Sequence, residues 1–367
     1  MMILAMAQIT KTTPAPCETS TIIEANFPDV VLITGANSQL AQALLRVAAE
    51  VGYLFSNTGI PFKLCALNRS QLDITNAANI AAVFSQYRPN WVINCAAYNA
   101  VDAAENDIVK AHRVNALGPE LLAQQCLQSG ARLLHVSSDY VFGGNAAHDI
   151  DHNAENVSEG VIDPAAKPHY LASPCVELDH PKPLSEYAKS KLLGEQKVFA
   201  VFGDRATVVR TSWLYGQDGH NFVKTMLKLM QTQPSLQVID DQIGCPTWSD
   251  ALARVMWQLV AAQCSGLFHY SAKGQCSWHE FAVEIQQQAL VLNLLNQPVV
   301  ILPISSTAYA KQALTRGVNV AKRPSYSVLN SDKLQFTLAT HARHSMFDNI
   351  EWQDWRQQLN QMLRQLS

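Results

Sequence analysis

From Val30 to about Ala200, short apolar runs alternate with longer Ala- and Leu-rich stretches, and the alternation predicts a regular series of elements. VVLIT (Val30 to Thr34) is a buried strand, and QLAQALLRVAAE behind a tight turn is a helix. Lys63 to Leu67 is a second strand, and a helix follows QLDITN. WVINCAAY supplies a third strand, RLLHVSSDYVFGG opens with a fourth, and PLSEYAKSKLLGEQ is helical. Strands and helices in strict alternation predict a parallel sheet with helices on both faces, the doubly wound α/β class. After about Thr211 the pattern loosens into a smaller, mixed α/β lobe with aromatic and Gly/Pro-containing segments, TSWLYGQDGHNF and RPSYS. ALARVMWQLVAA, within about 247–262, is a helix expected to return to the first domain. The expected organisation is therefore an extension at 1–29, a sheet domain at 30–210 with an insertion at 143–183, and a second lobe over most of 211–367.

Composition narrows the classes. With 367 residues, 48% of them hydrophobic, the chain can bury a large core in two lobes. A net charge of −3 gives no basic excess, so nucleic acid is not an expected partner. The eight cysteines are scattered without a CxxC pair and read as small buried hydrophobes of a reducing compartment, which suits a cytoplasmic protein. The histidines show no HExxH or similar spacing, so no metal is expected. The first twenty-nine residues lack a basic start and a long apolar run, which argues against a secretory signal and against a membrane span. The polar insertion, with His148, Asp149, Asp151 and His152, reads equally as a lid between two reactive elements or as a disordered insert.

The turn after the first strand carries the first candidate chemistry. Gly35, Ser38 and Ala41 occupy the three positions of a phosphate-binding glycine turn, and Asn37, Ser38, Gln39 and Leu40 would line it. Ser38 stands where glycine usually permits close approach of a pyrophosphate, so its Cβ either crowds the phosphate or its hydroxyl donates to it. At the end of the second strand stand Asn68 and Arg69, where a carboxylate would select NAD. An added guanidinium favours a 2′-phosphate, hence NADPH, with NADH the lesser alternative. Asp73 and Ile74 follow, and Cys95, Ala96, Ala97 and Tyr98 end the third strand, where small residues let a cofactor pass. The fourth strand ends in Ser137, Ser138 and Asp139. Some fifty residues later, Tyr187 and Lys191 share one helix face at i,i+4 spacing, where an ammonium would lower the phenol's pKa toward a working range. Asn115, unfavourable inside a helix, reads as a buried hydrogen-bonding support near these strand ends.

INCAAYNAVDAAE, HVSSDYVFGG, PLSEYAKSKLLGE, VVRTSWLYG, NFVKTML, VIDDQIGCPTW and KRPSYSVLNSDKL, in this order, resemble the dTDP-4-dehydrorhamnose reductases. These are extended short-chain dehydrogenase/reductases with a Rossmann-type sheet and a sugar-nucleotide-binding lobe. The resemblance implies NADPH-dependent reduction of the 4-keto group of a nucleotide-linked 6-deoxyhexose. By position it makes Ser138, where the family commonly has Thr, the holder of the substrate carbonyl. Tyr187 becomes the proton donor, and Lys191 the ribose-binding group. Asp139, Trp213, Asn221 and Arg323 would contact the substrate, Trp213 against the sugar and Arg323 near its anionic half. A homodimer is left open. Two other classes also remain open: an epimerase or dehydratase of the same superfamily, and a non-catalytic NADP-binding subunit resembling the methionine adenosyltransferase β subunit. The Asp-Glu pair of dehydratases is incomplete here, since Asp139 is followed by Tyr140.

Overall fold

In the computed structural model the described residues are 30–55, 63–143, 173–341 and 349–367, with side chains described outside 49–55. The extension at 1–29 and most of the 143–183 insertion, including its four acidic and imidazole side chains, lie outside the described residues.

Strands β1 (Val30–Thr34), β2 (Lys63–Leu67), β3 (Trp91–Asn94), β4 (Arg132–Ser138) and β5 (Thr207–Thr211) form a parallel sheet with a sixth strand, Gly266–Tyr270. Their order is β2-β1-β3-β4-β5 with Gly266–Tyr270 at the far edge. The chain runs outward from β1 to β2, then returns to continue on the other side through β3. That reversal opens a crevice at the carboxyl ends of β1 and β3, the place where open α/β sheets bind ligands. The register pairs Thr34 with Asn94, Asn94 with His135, and Ser138 with Thr211. All the candidate strand-end residues therefore reach one edge.

Successive strand residues face opposite layers, as pleating requires. Leu32, Val92, Leu133 and Val208 are buried against a layer that includes Ile80, Phe84, Leu122 and Val198. Ile33, Ile93, Leu134 and Val209 face the other layer, with Leu44, Val47, Leu252 and Val255. The helix Ser249–Ala261 lies on this second face against the helix Gln39–Phe55. Trp257 Nε1 donates to Leu44 O at 3.1 Å, and Arg46 forks onto Asp250 while reaching Asp218 at 2.7 Å.

The rest of the carboxyl-terminal half forms short parallel pairs, Leu214–Tyr215 with Thr247–Trp248 and Ser235–Ile239 with Val300–Ile304, and an antiparallel pair, Ile243–Gly244 with Cys276–Ser277. Helices Phe222–Thr232 and Trp278–Val291 pack among them. Among the described residues no helix is long and apolar enough to cross a membrane.

Candidate active site

The glycine turn is built for close approach. Gly35 has φ of +65°, and a Cβ there would stand 2.9 Å from the Ala96 backbone at the end of β3. Any other residue would push two strand ends apart. Ser38 is different: it keeps an ordinary φ, and its Oγ accepts from Ala41 N at 3.2 Å, capping the helix Gln39–Phe55. A hydroxyl that accepts from the backbone still has its own hydrogen to donate. Ser38 thus takes up the Ala41 amide at the helix start and leaves its own hydroxyl hydrogen for a phosphate there. Replacing this cap by glycine costs only a few tenths of a kcal/mol of stability. Ser38→Gly should nonetheless weaken NADPH binding by about 0.5–1.5 kcal/mol, the net worth of one hydrogen bond. Titrating both proteins with NADPH checks this, and tighter binding by the glycine variant would reverse the assignment.

Two connected hollows run from this turn. One, of about 240 Å³, is lined by Gly35, Asn37, Ser38, Asn68, Arg69, Asp73, Ile74 and the Cys95–Tyr98 strand end. The other, of about 440 Å³, shares Asn37, Ser38, Cys95, Ala96 and Ala97 and continues past Gln39 and Leu40 to Ser137, Ser138, Asp139, Tyr140, Tyr187, Lys191 and Trp213. Asn115 supports their common wall. Its Oδ1 accepts from Tyr98 N at 2.8 Å, while its Nδ2 donates to Tyr98 O at 3.0 Å and to Ser190 Oγ at 2.9 Å on the Tyr187 helix.

That helix, Glu186–Phe202, begins at a Ser185 cap that accepts from Ala188 N at 3.2 Å. It presents Tyr187 and Lys191 to the cleft, both buried. Tyr187 and Ser138 line the same hollow. Burial pushes the phenol up to about 12, the Ser138 hydroxyl pulls it down, and the Asp139 charge pushes it up. The Lys191 ammonium donates to Val136 O at 2.6 Å, and burial lowers it to about 8 against the pull of Glu195 and Cys95. Lys191 is not among the groups acting on Tyr187 here, because its charge is held against the β4 backbone and not against the phenol.

Asp139 is fully enclosed at the same strand end. Its Oδ1 accepts from Ser138 Oγ at 3.1 Å and its Oδ2 from Ser327 Oγ at 2.6 Å. Burial outweighs these bonds and raises the carboxyl to about 7. Ser137 Oγ and Thr211 Oγ1 line the cleft buried and without a hydrogen-bond partner among the described residues. Buried hydroxyls left unsatisfied at a cleft wall mark places where a polar ligand completes the bonding. Together with the Gly35 cradle, they fit a dinucleotide lying across the strand ends.

Only some of the expected substrate residues line the larger hollow. Trp213 does line the cleft, in a left-handed backbone with φ of +44°, and its ring stacks on Trp278 at 3.5 Å with 7° between planes. Trp278 also lines the cleft and was not singled out in the sequence, where CSWHEF offers only a helix start. Asn221 does not line the cleft. It caps the helix Phe222–Thr232 by accepting from Lys224 N at 3.1 Å, and its Nδ2 donates to Gly216 O at 2.7 Å. Asn before an apolar run is a cap first, because the helix start needs that acceptor. Arg323 does not line it either. Its guanidinium holds Asp102 at 2.9 Å and Ala321 O at 3.1 Å, and its charge acts on the Tyr140 phenol, which does face the cleft. Arg323 thus ties the RPSYS segment to the helix Val101–Ala104.

The family description "RmlD substrate binding domain" matches residues 29–367. The chain belongs to this family, that of the dTDP-4-dehydrorhamnose reductases. The dTDP-4-dehydrorhamnose reductase of Aggregatibacter actinomycetemcomitans is 32% identical over 311 residues, covering 83% of this chain and 92% of that one. The spore coat polysaccharide biosynthesis protein SpsK of Bacillus subtilis is 32% identical over 337 residues, 92% of this chain and 98% of its own. Among solved structures, the dTDP-4-dehydrorhamnose reductase of Bacillus anthracis in complex with NADP superposes with a TM-score of 0.71 at 30% identity, covering 92% of this chain and 99% of that one. The Rossmann-type sheet and the smaller lobe of this chain both line the larger hollow.

Proposed function

We propose that this reductase converts dTDP-4-dehydro-L-rhamnose to dTDP-L-rhamnose with NADPH. As a member of its family the chain is an oxidoreductase that reduces the 4-keto group of a sugar nucleotide. The observation that carries the assignment is that Ser138, Tyr187 and Lys191 line one cleft continuous with the glycine turn. Bound NADPH supplies the hydride. Tyr187 offers a hydroxyl donor to the oxygen on which negative charge develops, and Ser138 would join it by turning its hydrogen away from Asp139 Oδ1; donors fixed in a dry site stabilise that charge most. Tyr187 then passes its proton to that oxygen. A phenol held near 12 is a poor acid toward water but well matched to an alkoxide, whose own basicity is higher still. Lys191 contributes a buried ammonium at the same wall and would hold the cofactor's ribose, and Trp213 with Trp278 offers an aromatic wall to the apolar face of the sugar.

Arg69 supports the choice of NADPH. It is exposed at the rim of the smaller hollow beside Asn68, whose Oδ1 is spent on Ser70 and Gln71 of its own turn. Arg69→Ala should weaken NADPH binding by roughly 1.5–3 kcal/mol, the worth of a charged hydrogen bond, and leave NADH nearly unchanged. Equal losses for both cofactors would remove Arg69 as selector. The function itself is tested by following NADPH oxidation with dTDP-4-dehydro-L-rhamnose beside the GDP- and UDP-linked keto sugars. Turnover confined to the dTDP sugar is the expected result. Tight NADPH binding with no turnover of any of them would favour the non-catalytic subunit.

A further inference from the structure

We infer that Gly244 is a positioning residue for the sugar site: its missing side chain leaves the space in which the Trp213 indole lies, and so sets the ring that meets the substrate. The inference rests on the reading of Trp213 as a wall for the sugar and names what fixes that wall. Gly244 does not line the larger hollow itself, whereas Trp213 and Trp278 both do. A Cβ on Gly244 would stand 2.5 Å from Trp213 Cε2 and 2.7 Å from its Cζ2 and Nε1, closer than a side-chain carbon can sit. Gly244 has no positive φ, so close approach and not backbone conformation is what demands glycine there.

The surroundings hold the indole in that space. Before Trp213, Ser212 Oγ donates to Cys245 O at 2.6 Å; after it, Leu214 pairs with Thr247, and Trp213 O itself accepts from Thr247 N at 3.3 Å. The backbone is thus stitched to residues just beyond Gly244, and Trp213 takes up the bend with its φ of +44°. Its ring stacks on Trp278 with centroids 3.5 Å apart, which is already contact distance. Trp278 in turn lies 4.6 Å from the Phe222 ring and opens a helix closed by the Ser277–Glu280 capping box. Cys276, two residues before Trp278, pairs with Gly244 across the antiparallel ladder, so one strand pair carries both the glycine and the second indole. Close-packed groups of this kind pass a displacement on to their neighbours. A methyl group on Gly244 would therefore push the Trp213 ring along the cleft wall proposed for the sugar.

Gly244→Ala should lower kcat/KM for dTDP-4-dehydro-L-rhamnose by roughly 10–10²-fold, the order of loss that a misplacement of about 1 Å brings. The loss should lie in KM, with kcat and NADPH affinity within about twofold of wild type, because the ring binds the sugar and takes no part in hydride or proton transfer. Trp213→Phe deletes Nε1 and Cζ2, two of the atoms that the new Cβ would meet, and should raise KM by itself. Gly244→Ala added to Trp213→Phe should then cost less than about twofold more, the non-additivity of two groups that act through one contact. Should Gly244→Ala fail to fold, the double variant should recover a folded protein, and its failure to do so would overturn the inference. A wild-type KM in Gly244→Ala, or losses that add fully in the double variant, would overturn it as well. A Trp213→Phe enzyme with wild-type KM would instead remove the aromatic wall on which the inference rests.

Discussion

Tyr187→Phe is expected to reduce turnover by roughly 10²–10⁴-fold, the span that general acid catalysis usually supplies, while NADPH affinity stays within about twofold. The substitution removes one oxygen and leaves the ring. That ring sits edge-on to Tyr140, with centroids 6.0 Å apart, and packs with Ala104 and Ala111, so the helix has no reason to shift. What disappears is the phenolic hydroxyl proposed to protonate the reacting oxygen, on the same cleft wall as Ser138. Steady-state rates and cofactor titration separate the two effects. An enzyme retaining most of its turnover would show that another group protonates the product.

Glu195→Ala should be the most damaging single change to stability, at about 3–5 kcal/mol, the usual cost of stripping one partner from a buried ion pair. Arg210 Nε and Nη2 fork onto Glu195 at 2.9 and 2.7 Å, and both side chains are only 3% exposed. Without the carboxylate, the guanidinium would keep only the Phe142 ring, at 4.8 Å, and His269 Nε2, at 3.3 Å. Burial and Arg210 hold His269 down to about 3, so it stays neutral and cannot replace an anion. The damage should extend to the active site, because Glu195 lies one helical turn from Lys191 and helps to keep its ammonium charged. Denaturant unfolding measures the first effect and the pH dependence of NADPH binding the second. A stability loss under about 1 kcal/mol would mean that water reaches Arg210 and replaces its partner.

Several parts of the site were legible because they depend on neighbours along the chain. Alternating apolar strands and Ala-rich helices implied a doubly wound sheet, and the i,i+4 spacing set Tyr187 and Lys191 side by side before any fold was known. Gly35 and the small residues Ala96 and Ala97 marked the close approach of β1 and β3, which the structure shows as a 2.9 Å limit on any Cβ. Ser38 was readable as a departure, but its service as a helix cap follows from where the helix starts, and neither alternative drawn from the phosphate turn included it.

The sequence by itself therefore determined the class of sheet, the order of the reactive residues and the face they share, since strand period, helix period and turn chemistry are local properties. Tertiary structure alone decided the partners. Arg323 was expected near the substrate, and the fold also sets its guanidinium against Asp102, 221 positions away. Ser327 met Asp139 across 188 positions, and Trp278 slid onto Trp213. A charge or hydroxyl entering a buried site takes whichever complementary group the fold brings within about 3 Å, because leaving it unpaired costs more than the bond gains. No spacing along the chain encodes that choice, because it depends on how two lobes close over a shared wall.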